Sequence, residues 1–208
     1  MAETDLQSMD FQSMDLRSMD LQLWLIRHGE TAWSLSGAHT SRTDIPLTDR
    51  GRERARKIKD YLAGKPFSMV LTSPMLRARD TCRIAGLADG AQIDDDLNEW
   101  NYGAYEGRTT QEIQREIPDW SVWTSPMIDG ESIKQVAERA NRVIARAAAR
   151  GGHVALFAHG HILRILAACW IQMPPVTGSR LALGTGTVSI LGYEHETRVI
   201  SEWNRDLD

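Results

Sequence analysis

Cysteine is scarce: Cys82 and Cys169 are the only two in 208 residues. Two thiols in separate helix-like segments cannot build a disulfide framework, and no spacing fits a zinc or iron–sulfur centre. They read as small buried hydrophobes in a reducing compartment, which points to a cytoplasmic protein. An excess of positive charge is also lacking. The net charge is −4, which argues against a nucleic acid or an anionic membrane surface as the main partner. No apolar run approaches the ~20 residues needed to span a bilayer. The N-terminus is acidic and polar, unlike a secretory signal. These absences leave a chain whose length suits one α/β domain with a substantial core.

A repeat comes first. Leu6-Gln7-Ser8-Met9-Asp10, Phe11-Gln12-Ser13-Met14-Asp15 and Leu16-Arg17-Ser18-Met19-Asp20 are three variants of one pentapeptide. A period of five matches neither a strand nor a helix face, and it is too short for a solenoid unit. Residues 1–20 are therefore expected to form a disordered or weakly helical tail, and 21–208 the working domain. Beyond the tail, strand and helix patterns alternate. Buried strands are predicted at 21–27, 68–72 and 153–157. Thr48 is placed to cap a charged amphipathic helix ending near Gly64, and Ser73 to cap a helix with Pro74 at its first position. Further helices are predicted at 110–117, from Ile133 to the Gly151-Gly152 pair, and at 161–171. Closing strands are predicted near 181, at 187–191 and at 199–203. The alternation predicts an α/β fold with a mostly parallel central sheet and helices on both faces.

The chemistry-bearing residues gather where these strands end, the edge that forms the ligand crevice in open α/β sheets. The first strand closes on Ile26-Arg27-His28-Gly29-Glu30, where Gly29 is expected to open an approach to the ring. The second leads into Thr72-Ser73-Pro74-Met75-Leu76-Arg77-Ala78, and a third into Ala158-His159-Gly160-His161. Two irregular segments complete the set: Thr43-Asp44-Ile45-Pro46-Leu47-Thr48, and Leu97-Asn98-Glu99-Trp100-Asn101-Tyr102-Gly103 followed by Tyr105-Glu106-Gly107. In this order the motifs resemble the histidine phosphatase superfamily, the phosphoglycerate-mutase-like fold, from about Leu21 to the C-terminus. The resemblance implies that Arg27, His28, Arg77 and His159 form a phosphate pocket and that Glu99 is the general acid and base.

These residue types suit that chemistry. A neutral imidazole is a good nucleophile toward phosphorus when its second nitrogen is held by a hydrogen bond, and His28 has the position for it. Phosphoryl transfer needs positive groups around the equatorial oxygens. Arg27 and Arg77 offer forked donors for them. Neighbouring parallel strands would bring His28 and His159 face to face across one phosphate. Chemistry alone does not separate Glu99 from Glu106 or from the acidic run at 94–96; the motif match selects Glu99. Arg77 shares its helix with Arg79 and Arg83, which taken alone would read as a solvated face. His159 and His161 lack a third ligand, so no metal and no cofactor is expected. His39, His153 and His195 read as incidental. Substrate contacts are expected at Ser34, Thr40, Ser41, Trp100, Tyr102 and Gly160, with the aromatic residues after Glu99 walling the site.

Mutases that resemble this pocket carry a longer insertion with arginines for a carboxylated substrate. Here Pro118-Asp119-Trp120-Ser121-Val122-Trp123-Thr124 occupies that interval, and Ser34 and Ser41 stand where the mutases usually have asparagine and often glycine. The expected function is a metal-independent phosphatase acting on a small phosphorylated metabolite, most similar to sugar-phosphate phosphatases. A cofactor-dependent phosphoglycerate mutase is the alternative, and a non-catalytic phosphoprotein-binding module is an alternative of another class. The sequence leaves a homodimer open.

Overall fold

The computed structural model describes residues 20–208. The tail expected at 1–20 therefore lies, apart from Asp20, outside the described residues. Among those described, six strands form one sheet: β1 Gln22–Arg27, β2 Phe67–Thr72, β3 Ala91–Ile93, β4 His153–Ala158, β5 Val188–Glu194 and β6 Thr197–Arg205. Their order is β3-β2-β4-β1-β5-β6. The first four run parallel, and β5 and β6 close the sheet as an antiparallel hairpin on β1. The helices are α1 Ala32–Ser36, α2 Asp49–Leu62, α3 Leu76–Ile84, α4 Thr110–Glu116, α5 Ile133–Arg150 and α6 Gly160–Trp170.

Strand β1 explains why its apolar run is continuous rather than alternating. Leu23 and Leu25 face a core built with α5 and α6, while Trp24 and Ile26 face a second core built with α2 and α3. Both faces of a central parallel strand are covered, so both sets of side chains must be apolar. Fully burying each Leu or Ile contributes about 1.5–3 kcal/mol. This double layer holds the strand ends rigidly. Because β2, β4 and β1 are adjacent and parallel, Ser73, His159 and His28 all emerge at one edge of the sheet.

Two expectations about elements are corrected. Ser73 does not cap the helix that follows it: α3 begins at Leu76, and its cap position is Met75, which makes no side-chain cap bond. The missing acceptor comes from far along the chain, where the Asp44 carboxylate accepts from Leu76 N at 2.7 Å. No strand forms near 181. A 3-10 segment, Pro175–Arg180, leads there into a loop whose carbonyls accept from side chains: Trp203 bonds Ala182 O and Arg27 bonds Leu183 O. Those carbonyls have no neighbouring strand to pair with.

Candidate active site

His28 sits one residue beyond β1, 5 % exposed, with its backbone N–H donating to Ala158 O of the neighbouring strand at 3.0 Å. Its ring Nδ1 lies 2.8 Å from the Gly29 carbonyl. A carbonyl only accepts, so Nδ1 carries the proton and the Nε2 lone pair is left for other work. Burial, reinforced by the positive charges of Arg77 and Arg27, pushes the His28 pKa down to about 3, so the ring is neutral across ordinary pH. His159 is fully buried beside it. The two rings meet edge-on, with centroids 5.2 Å apart and planes at 61°, rather than face to face. His159 Nδ1 accepts from Arg77 Nε at 3.1 Å, and Nε2 faces the Ser73 hydroxyl at 2.7 Å. The Ser73 hydroxyl therefore orients a histidine; the expectation of a helix cap had hidden that use.

Gly29 also has a packing role. A Cβ there would lie 2.4 Å from the Gly51 carbonyl, and one on Gly51 would lie 2.3 Å from Glu30 O. The glycine pair lets the first turn of α2 rest on the loop that carries His28. The Gly29 N–H is held by Thr81 Oγ1 at 3.0 Å.

Arg77, wholly buried, ties this pocket to the loop at 40–43. Its NH1 donates to Thr43 O at 3.1 Å, and its NH2 to Thr40 O at 3.2 Å and Ser41 O at 2.9 Å. That loop is shaped in turn by Glu106, whose carboxylate accepts from Ser41 N at 2.9 Å, Ser41 Oγ at 2.6 Å and Thr43 N at 3.1 Å. Arg27 is committed differently. Its NH1 donates to Leu183 O, and its guanidinium lies against Gly160, where a Cβ would come within 3.3 Å of Cζ. Its Nε is buried and has no hydrogen-bond partner among the described residues. A buried, charged donor left open beside a neutral imidazole calls for an acceptor.

The geometry also separates the competing carboxylates. Glu106 is spent on the loop, Asp94 and Asp96 pair with Arg146 and Arg142, and Asp95 is exposed at the border of the cleft, in contrast to the buried Glu99. Glu99, 7 % exposed, lies at the N-terminus of α6. Its Oε1 accepts from Trp100 N at 2.9 Å and Ile162 N at 3.0 Å, and its Oε2 accepts from His161 N at 3.0 Å. Burial works to raise the Glu99 pKa, but His161 and His159 and the backbone N–H bond outweigh it and hold the group well below the usual carboxylate range. Glu99 is thus an anion in the free pocket. Beside it opens a cleft of about 460 Å³ lined by Ser41, Arg42, Asn98, Asn101, Glu131 and Arg139, among others.

The remaining expected contacts divide. Ser41 lines the cleft, and Gly160 lies against Arg27. The Ser34 hydroxyl closes a capping box with Thr31, and the Thr40 hydroxyl donates to Ala38 O. Trp100 and Tyr102, 1 % and 2 % exposed, sit beneath the site: the Trp100 indole donates to Glu131 O, and the Tyr102 hydroxyl meets His161 Nδ1 at 2.7 Å. Trp120 and Tyr105 are core residues. His39 was read as incidental, yet it is buried among Tyr102, Trp120 and His161, and that burial lowers its pKa to about 4. Its place directly before Thr40 was the only signal available in the sequence.

The model of the histidine phosphatase superfamily, branch 1, matches residues 23–206. The chain belongs to this superfamily. Two relatives are similar to this chain over most of its length. An acid phosphatase of Mycobacterium tuberculosis is 40 % identical over 184 residues, covering 86 % of this chain and 90 % of the relative. A sedoheptulose 1,7-bisphosphatase of Saccharomyces cerevisiae is 36 % identical over 182 residues, covering 72 % of this chain and 67 % of the relative. The solved structure of an open-reading-frame product of Mycobacterium tuberculosis superposes with a TM-score of 0.85 at 38 % identity, covering 91 % of this chain and all (100 %) of that one. The histidine phosphatase fold is thus the α/β arrangement expected from the alternation of elements.

Proposed function

We propose that this chain hydrolyses phosphomonoesters of small metabolites, sugar phosphates in particular, through a phosphohistidine on His28. The observation that carries it is the His28 ring: Nδ1–H is tied to Gly29 O, Nε2 has no hydrogen-bond partner among the described residues, and the ring feels the charge of Arg27, whose buried Nε is unpartnered among them. The acid phosphatase and bisphosphatase relatives support the same reaction class. In the first step Nε2 attacks phosphorus, the P–O bond to the alcohol breaks, and Glu99 delivers a proton to the leaving oxygen. The charges of Arg27 and Arg77 and the field at the start of α6 stabilise the transferring group. In the second step water attacks phosphorus, Glu99 takes its proton, and the P–N bond breaks to restore neutral His28. The cleft beside Glu99 receives the alcohol, and the Ser41 hydroxyl and the Asn98 and Asn101 amides, set among charged side chains, fit a polyol. Arg27, His28, Arg77, Glu99 and His159 all come from one chain, so the reaction requires no second copy. A cytoplasmic location is part of the proposal, supported by two free cysteines.

Because Glu99 is ionised in the free pocket, its proton must arrive with the substrate. A phosphomonoester carries that proton as its monoanion, below a second pKa of about 6. The expected kcat/KM on a sugar phosphate therefore rises as pH falls from 7 toward 5, and neutral His28 persists down to about 3. A kcat/KM that declines as pH falls through 6.5, as an ordinary histidine titrates, would contradict this assignment.

The same preparation separates hydrolase from mutase. Holding a carboxylated substrate needs cations, but Arg139 is bound to Glu131, which leaves Arg42 as the one arginine lining the cleft without a hydrogen bond or ion pair among the described residues. A screen of sugar phosphates should give phosphate release faster than isomerisation of 3-phosphoglycerate. Efficient isomerisation primed by bisphosphoglycerate would reverse the assignment. Absence of turnover on every phosphomonoester, with binding retained, would favour a phosphoprotein-binding module.

A further inference from the structure

The segment that carries Glu99 has no regular structure of its own. Residues 98–102 lie between two short 3-10 turns, Asp95–Leu97 and Gly103–Tyr105. Polar backbone in such a segment must find partners elsewhere. Asn98 N, Trp100 N and Tyr102 O find them in Asp95 O, the Glu99 carboxylate and Tyr105 N, and the rest of the bonded groups find them in one ion pair. Arg139, on α5, grips Glu131 side-on, with Nε to Oε1 at 2.8 Å and NH2 to Oε2 at 2.9 Å. The same guanidinium donates through NH1 to Asp96 O at 2.7 Å and Asn98 O at 3.0 Å, and its NH2 lies 3.4 Å from Glu99 O. Glu131 closes the other side. Its Oε2 accepts from Asn101 N at 2.9 Å, its own N–H donates to Asn101 O at 2.9 Å, and its carbonyl accepts from the Trp100 indole at 2.7 Å. Gly130 permits this approach, since a Cβ there would stand 2.4 Å from Asn101 O.

We propose that Arg139 and Glu131 form a clamp that positions the Glu99 carboxylate for proton transfer to the leaving oxygen. The proposal rests on Glu99 being the proton donor. Arg139 borders the cleft, yet its nitrogens are committed to Glu131 and to backbone carbonyls, so it is a positioning residue and not a receptor for substrate. The pair is largely buried, at 12 % and 22 % side-chain exposure, and its planar fork spans several acceptors at once. A lysine ammonium cannot reproduce that fork.

A purely structural role would slow every substrate alike. A positioning role slows only substrates whose leaving group needs the proton. Arg139→Lys is expected to slow phosphohistidine formation from a sugar phosphate by about 10–100-fold, the scale of a misplacement near 1 Å. The loss on an aryl phosphate should be about 3-fold or less. Glu131→Gln keeps one oxygen for the clamp, loses the charge, and should show the same split; it serves if Arg139→Lys does not fold. In a Glu99→Gln background, Arg139→Lys should add almost nothing on the sugar phosphate, because the group it positions is gone. If Glu99→Gln discriminates between the substrates but the clamp variants slow both equally, or add their full loss in that background, the clamp is wrong and Glu99 stands. If Glu99→Gln itself slows both equally, the donor assignment falls and the clamp with it.

Discussion

Alanine in place of His28 is expected to lower turnover by at least about 10³-fold on every phosphomonoester, whatever its leaving group. The ring Nε2 has no hydrogen-bond partner among the described residues, and its neutral state is enforced by burial and by two arginines. Loss of the nucleophile leaves the open Arg27 Nε–H and the charge of Arg77 in place, so binding of inorganic phosphate should persist while release of phosphate from ester stops. Isothermal titration and steady-state phosphate release on the same sample make the comparison. Near-normal turnover in His28→Ala would remove the nucleophile assignment. Loss of phosphate binding together with turnover would mean that the imidazole mainly shapes the pocket.

The second large effect belongs to Glu99. Glu99→Gln is expected to slow phosphorylation by sugar phosphates about 10²–10⁴-fold. An aryl phosphate, whose leaving group barely needs a proton, should lose much less in that step. The amide can keep one oxygen against Trp100 N and Ile162 N, but its NH2 then faces the His161 N–H that Oε2 now accepts at 3.0 Å. Some local disturbance follows, and the aryl substrate reports it separately from proton transfer. Rapid-quench kinetics isolate the step from later hydrolysis. Equal losses on both substrates would show that Glu99 is not the donor. Glu106 would be a poor replacement, because its carboxylate is occupied by Ser41 and Thr43.

Much of the framework was legible because burial writes itself into residue pattern. The apolar run of β1, the Thr48 cap and the periodicity of α5 all mark elements that pack on a core. The convergence of His28 and His159 followed from strand ends, since adjacent parallel strands deliver their next residues to one edge, whereas only the motif resemblance selected Arg77. What stayed hidden depends on contacts between distant segments. Asp44 caps α3 across the loop, which no local signal near Ser73 announces. His39 enters the aromatic cluster through tertiary packing, and its spacing resembles neither a strand nor a helix face. Trp100 and Tyr102 were expected as substrate walls, but an aromatic residue in an irregular segment reads the same whether it faces a ligand or the core. The Arg139–Glu131 pair had no signature either: one residue sits in a loop and the other reads as an ordinary charged helix position. The ionised state of Glu99 could not be derived from sequence, because it depends on three N–H groups brought together by α6 and the loop before it.

Covalent capture at His28 is the most direct test of the account. The enzyme is mixed with a substrate labelled in its phosphoryl group and quenched within milliseconds under alkaline conditions that preserve phosphohistidine. Peptide mass spectrometry then locates the label. It is expected on Nε2 of His28 in the native chain, to accumulate in Glu99→Gln when an aryl phosphate is the substrate, and to be absent from His28→Ala. Label on His159 or on any other residue, or none at all during rapid turnover, would contradict the account.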